Sequence, residues 1–181
     1  MRRISALACG LVLMAGAAAA QEVPSYAARC TGCHGANGNP QVDSTPRLNG
    51  QQKDYLLKRL DEFKGLGSLS PHGGITDGPA IAAWFAAQKP TPAKPGPLSD
   101  VGRRIFQSGL SGRVIACRQC HGAGGEGHDA VPRLAGQHQA YLDNQLAYFS
   151  IQLRENKLMH TNTEKLKTFE MEAIASFLGS D

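Results

Sequence analysis

The chain has 181 residues, of which 41% are hydrophobic, 19% charged and 6% aromatic, values that exclude a collagen, a coiled coil and a polytopic membrane protein. Its 19 Lys and Arg against 15 Asp and Glu give a formal net charge of +4, and Arg2 and Arg3 supply two of those charges in a stretch read below as a leader. The small excess that remains, with no Lys/Arg run, argues against a nucleic-acid partner.

Met1-Arg2-Arg3 is a short positive segment, Ile4 to Ala20 is apolar and rich in alanine, and Ala18-Ala19-Ala20 precedes Gln21. This is the pattern of a secretory signal over residues 1–20, cleaved near Ala20, with Cys9 inside it. The run is shorter than the roughly 20 apolar residues of a membrane helix, and no second such run follows. The expectation is a periplasmic protein without stable membrane insertion.

The first predicted domain covers residues 21–89. It carries Cys30-Thr31-Gly32-Cys33-His34, then Pro46-Arg47-Leu48-Asn49-Gly50-Gln51, then an amphipathic helix over residues 51–64 with Tyr55, Leu56, Leu60 and Phe63 on one face. Ser70-Pro71-His72-Gly73-Gly74 reads as an irregular loop, and Asp77-Gly78-Pro79 starts a closing helix with Ile81, Trp84 and Phe85. Residues 90–97 contain Pro90, Pro92, Pro95 and Pro97 and predict an extended, semi-rigid linker.

The second domain, residues 98–181, opens with a helix capped by Ser99 or Asp100 and presenting Val101, Ile105 and Phe106. It then repeats the first: Cys117-Arg118-Gln119-Cys120-His121 matches Cys30 to His34 at an offset of 87, and Pro132-Arg133-Leu134-Ala135-Gly136-Gln137 matches Pro46 to Gln51 at an offset of 86. A helix over residues 137–152 repeats Tyr55 and Phe63 as Tyr141 and Phe149. A loop containing Met159 follows, and the last helix runs from Glu170 to Leu178. No alternating strand pattern interrupts these segments, so the fold class is all-α, built as two homologous domains.

In C-x-x-C-H the two thiols and the imidazole share one helical face. The spacing allows two thioethers to haem vinyl groups while the histidine binds iron, so Cys30, Cys33, Cys117 and Cys120 are read as attachment sites for two haem c groups, and His34 and His121 as iron ligands. A redox C-x-x-C would need a βαβ context, zinc would need four ligands per site, and a Cys30–Cys33 disulfide would leave the following histidine and the duplication unexplained.

The sixth iron position separates a carrier from a ligand-activating site. Met159 lies 38 residues after His121, with His160 beside it as rival and Met171 read as core. At the same spacing of 38 after His34 stands His72, in a domain without methionine after Met14. His72 as ligand of the first iron stands against a vacant or water-bound iron. Arg47 and Arg133 are either solvated charges or donors to haem propionates. Tyr55, Tyr141, Phe63, Phe149, Trp84, Phe85 and Phe177 read as pocket and core packing, and His128 and His138 as surface polar groups.

The two haem motifs, the Pro-Arg-Leu-x-Gly-Gln repeat and the Tyr/Phe helix after it resemble the dihaem class I cytochromes c of the cytochrome c4 type over essentially the whole mature chain. The resemblance implies two tandem class I cytochrome c domains related by a pseudo-twofold axis, haems near the domain interface, and electron transfer among redox proteins such as a membrane oxidase, a reductase or a dehydrogenase. It places His34 and His121 as proximal ligands and Met159 as a distal one. Two departures stand out: His72 replaces the expected methionine in the first domain, and that domain lacks the Gly-x-x-x-Phe start found at Gly102 to Phe106, so its first helix must be short, with Tyr26 as a packing residue. The competing function is a dihaem enzyme or enzyme subunit, of the peroxidase or sulfur-oxidising kind, with an open haem.

Overall fold

A computed structural model describes residues 22–180 of the chain; the leader expected over residues 1–20 lies outside them. Eight helices follow in order: α1 (Ser25–His34), α2 (Lys53–Lys64), α3 (Gly78–Ala86), α4 (Ser99–Ser108), α5 (Arg118–His121), α6 (Gln139–Ser150), α7 (Lys157–Thr163) and α8 (Thr168–Leu178), with a single 3-10 turn at Gly67–Leu69. Extended pairing among the described residues is confined to two isolated bridges, Leu110 with Val114 and His128 with Val131. The architecture is all-α, and none of these helices is long and apolar enough to cross a membrane.

Each half has its own core. In the second, α4 crosses α8 and α6 packs beside it, burying Ile105, Phe106, Leu142, Met171, Ile174 and Leu178. Each such side chain removed from water contributes about 1.5–3 kcal/mol. The crossing is close because Gly102 faces the α8 backbone, where an added Cβ would lie 1.8 Å from the Ala173 carbonyl oxygen. One turn on, Phe106 meets Phe177 with ring centres 5.6 Å apart.

The first half has a smaller core of Ala27, Leu56, Ile81, Ala82, Trp84 and Phe85, where α2 and α1 pack on α3. Its opening helix is α1 itself, which runs directly into His34. The packing residue on α1 is Ala27, fully buried, whereas Tyr26 is exposed. This corrects the expectation for Tyr26: only a small side chain fits where a helix this short meets α3.

Two further expectations are corrected. Leu98 occupies the cap position of α4 without a side-chain cap, in place of Ser99 or Asp100. Met159 lies not on a loop but in the first turn of α7, which Asn156 caps by accepting from the Met159 N–H at 3.0 Å.

The proline-rich connector is extended over residues 89–96 and fastened along the second half. Lys94 N–H donates to the Gly179 carbonyl and Gly96 N–H to the Ser176 carbonyl, both at 2.8 Å. Asn49 Nδ2 holds its start by donating to the Lys89 carbonyl at 2.8 Å. Gly136, at φ +78°, lets the connector pass so closely that a Cβ there would sit 1.8 Å from the Thr91 carbonyl oxygen.

The α4–α8 crossing has no room for a methyl group. Gly102→Ala is therefore expected to destabilise the second half by about 2 kcal/mol or more, as overpacking of a close helix contact does, read as a lowered thermal midpoint of the holoprotein.

Candidate functional site

The two C-x-x-C-H segments end helices in the same way. Cys30, Cys33 and His34 occupy the last turns of α1, and Cys117 precedes the single turn of α5 that carries Cys120 and His121. Gly35 and Gly122, at φ +77° and +81°, then turn the chain sharply away. None of the four cysteines is in a disulfide. Burial raises the Cys30 thiol and pushes Cys117 up to about 11. Among the described residues no group of three or more His, Cys, Asp or Glu side chains is arranged to hold a metal ion by itself.

His34 and His121 are both buried. His34 Nδ1 lies 2.9 Å from the Pro46 carbonyl oxygen and His121 Nδ1 lies 3.1 Å from that of Pro132. A carbonyl only accepts, so Nδ1 carries the proton in each ring and Nε2 keeps its lone pair, free to bind a metal. Burial lowers both imidazoles below their ordinary value, outweighing the opposite pull of the carbonyl partner. Both shifts favour the neutral ring, the form that binds a metal.

On the opposite side of the first site, the His72 ring centre lies 6.1 Å from that of His34, with the rings tilted 39°. Phe63 stacks on His72 with centres 4.4 Å apart at 17°, and Arg59 in turn lies over Phe63. Ser70 Oγ accepts from the His72 N–H at 3.2 Å, and Arg29 donates to the Pro71 carbonyl at 3.1 Å, fixing the loop. Burial lowers His72, and His34, Arg29 and Arg59 lower it further.

In the second half Met159 is half-buried. Its neighbour His160 is engaged at both nitrogens: Nδ1 donates to the Phe149 carbonyl at 3.0 Å, and Nε2 lies 3.0 Å from Gln152 Nε2 and 3.3 Å from Glu164. Met171 is buried in the α4–α8 core.

The arginines of the repeat lie at the junction of the two halves. Arg47 donates from Nε to Asn39 Oδ1 at 2.7 Å and from one terminal nitrogen to the Gly136 carbonyl at 2.9 Å and to the Ser180 carbonyl. Arg133 Nε and Trp84 Nε1 are buried with no hydrogen-bond partner among the described residues. A buried cationic donor without an acceptor calls for an anion. A haem meets these demands together: vinyl groups for the thiols, iron for the imidazoles and carboxylates for Arg133.

Several residues with a role here were not read from the sequence. His138, expected at the surface, is buried and its Nε2 lies 3.2 Å from the Pro40 carbonyl of the other half; its environment is made by a domain that is remote in sequence. His128 is exposed beside Asp129. Arg154 lies over Phe149 and donates to the Tyr55 hydroxyl across the junction at 2.9 Å. Gln51 and Gln137 are also buried at the junction, each bonded to the backbone of the opposite arginine. Their exact repetition at the end of the Pro-Arg-Leu-x-Gly-Gln motif was the available signal.

The sequence matches the Cytochrome c family twice, over residues 18–97 and 99–180. It is 35% identical to cytochrome c4 of Azotobacter vinelandii over 193 aligned positions, covering 93% of this chain and 91% of that protein. It is 30% identical to a protein of Stutzerimonas stutzeri strain A1501 named thiosulfate dehydrogenase electron acceptor, over 83% of this chain and 78% of that one. The fold superposes on the cytochrome c4 structure from Acidithiobacillus ferrooxidans with a TM-score of 0.74 and 31% identity, over 83% of this chain and 98% of the other. With two matched domains, two attachment motifs and relatives aligned along nearly their whole length, the chain belongs to the cytochrome c family as a tandem, two-haem electron-transfer protein of the cytochrome c4 type.

Proposed function

We propose that this cytochrome is a periplasmic carrier with two unequal redox centres, the first haem ligated by His34 and His72 and the second by His121 and Met159. The observation that carries the reading is the facing pair of imidazoles in the first half, 6.1 Å between ring centres. A metal–nitrogen bond of about 2 Å on each side, plus roughly 1.1 Å from ring centre to nitrogen, spans about 6 Å. The Phe63 stack holds the His72 ring in that orientation, with Ser70 Oγ 3.5 Å from its Nδ1, and the bond from the His72 backbone N–H to Ser70 Oγ fixes the loop. In the second half Met159 stands at the matching spacing of 38 after His121, half-buried in the first turn of α7, and this supports it as the ligand there.

When bound, haem supplies one-electron exchange at iron, with a higher potential for His/Met than for His/His ligation. With these ligand sets His34 and His72 would hold the lower-potential centre and His121 and Met159 the higher-potential one. Arg133 donates to a propionate, while Arg47 serves the junction through Asn39, Gly136 and Ser180. The leader at residues 1–20 supports export to the periplasm. The relative named as a thiosulfate dehydrogenase electron acceptor supports a dehydrogenase as electron donor, and a membrane oxidase or reductase takes the electrons on.

Low-temperature electron paramagnetic resonance of the oxidised holoprotein tests the ligand sets. One low-spin His/His and one low-spin His/Met signal are expected. His72→Ala should convert the first alone into a high-spin haem that binds carbon monoxide when reduced, and Met159→Ala should do the same to the second. A stoichiometric high-spin signal in the unaltered protein would replace the carrier reading with that of an enzyme having an open iron.

The attachment sites have a separate readout. The mass of the secreted protein should exceed that of its polypeptide by two haems, and replacing both Cys30 and Cys33 by alanine should remove one while Cys117 and Cys120 keep the other.

A further inference from the structure

The junction is built on a reciprocal pair of contacts. Arg47 N–H donates to Gln137 Oε1 at 2.8 Å, and Gln137 Nε2 donates back to the Arg47 carbonyl at 3.0 Å. In mirror fashion Arg133 N–H donates to Gln51 Oε1 at 2.7 Å, and Gln51 Nε2 to the Arg133 carbonyl at 2.9 Å. Both glutamines are buried. The same two peptide groups face the other way onto the candidate iron ligands. The Pro46–Arg47 peptide gives its N–H to Gln137 and its carbonyl to His34 Nδ1 at 2.9 Å; the Pro132–Arg133 peptide gives its N–H to Gln51 and its carbonyl to His121 Nδ1 at 3.1 Å.

An amide that donates through its N–H becomes a stronger acceptor at its oxygen, because the two bonds polarise the group in the same sense. A stronger acceptor on Nδ1–H makes the imidazole a better donor at Nε2, and such outer partners tune a bound metal. We propose that Gln51 and Gln137 are positioning residues that set, crosswise, the donor strength of the opposite domain's axial histidine, Gln137 acting on His34 and Gln51 on His121. The inference rests on the reading of His34 and His121 as iron ligands. Each haem's potential then depends on a side chain that is covalently part of the other haem's domain, so docking of the two halves is itself a determinant of both potentials. The effect has a sign: the glutamine favours the oxidised iron of the opposite domain, and its loss raises that haem's potential.

The test is made on the two-haem holoprotein with Gln137→Ala and Gln51→Ala, following each haem separately by spectroelectrochemical titration and by its low-spin resonance signal. Gln137→Ala should raise the potential of the first haem, and Gln51→Ala that of the second, each by about a threefold change in the redox equilibrium constant, about 30 mV at 59 mV per tenfold. The Nδ1 proton resonance of the opposite axial histidine should shift in the same variants. His138→Ala, which removes a different cross-junction contact to Pro40, controls for simple loosening of the interface, and should reproduce neither pattern. Shifts in the haem of the mutated domain, equal shifts in both, or none with both low-spin signals intact would overturn the proposal. If His34→Ala or His121→Ala leaves the low-spin signals unchanged, the ligand reading beneath it falls, and the proposal with it.

Discussion

One half of this protein has little apolar side chain from which to close a core, and many other features answer that shortage. The first half buries six hydrophobic residues, two of them alanines. A domain of about 80 residues buries a small share of its surface and ordinarily needs a staple. On the proposed attachment, two thioethers and a histidine would fasten a large flat apolar group to the chain within one helical turn. The long irregular stretches between α1 and α2, and between α5 and α6, carry the Pro46 and Pro132 carbonyls that meet His34 and His121 and the Gln51 and Gln137 side chains of the junction.

The duplication lets the halves share the remaining burden. Their contact is made largely by buried polar groups that find partners across the junction: Gln51 and Gln137 on the opposite arginine backbones, Arg47 on the Gly136 and Ser180 carbonyls, and His138 near Pro40. Such contacts are specific in direction and register, because a buried amide that loses its partner costs about 1–3 kcal/mol. The junction therefore selects one relative orientation of the halves, which a purely apolar patch would do less sharply.

Much of this architecture was legible in the sequence, for physical reasons that differ by residue. The placing of Cys30, Cys33 and His34 together at a helix end was readable because C-x-x-C-H spacing sets all three on one helical face, and the helices carrying Leu56, Phe106 and Leu142 because burial on one face imposes a period. His72 stood out by its spacing and by the lack of a methionine in its half. What was not legible depended on chain remote in sequence or on a small local competition. The role of Gln137 lies in contacts to Arg47, 90 positions away. His138 gives no sign of burial until the other half covers it. Ala27, rather than the more conspicuous Tyr26, fills the contact with α3 because the space there is small. The turn of α7 escaped because its four-residue start hinges on Asn156 alone, in a segment whose apolar spacing is weak.

The connector carries a consequence for kinetics. Its backbone is hydrogen-bonded along α8 at Lys94 and Gly96, and pinned at its start by Asn49. A loose linker would let the halves separate, and exchange between them would then be gated by diffusion of one domain about the other. A strapped linker restrains that freedom, so an electron passing from one half to the other would do so at a held separation, without waiting on diffusion of the domains. Dilution would slow only the encounters with other proteins.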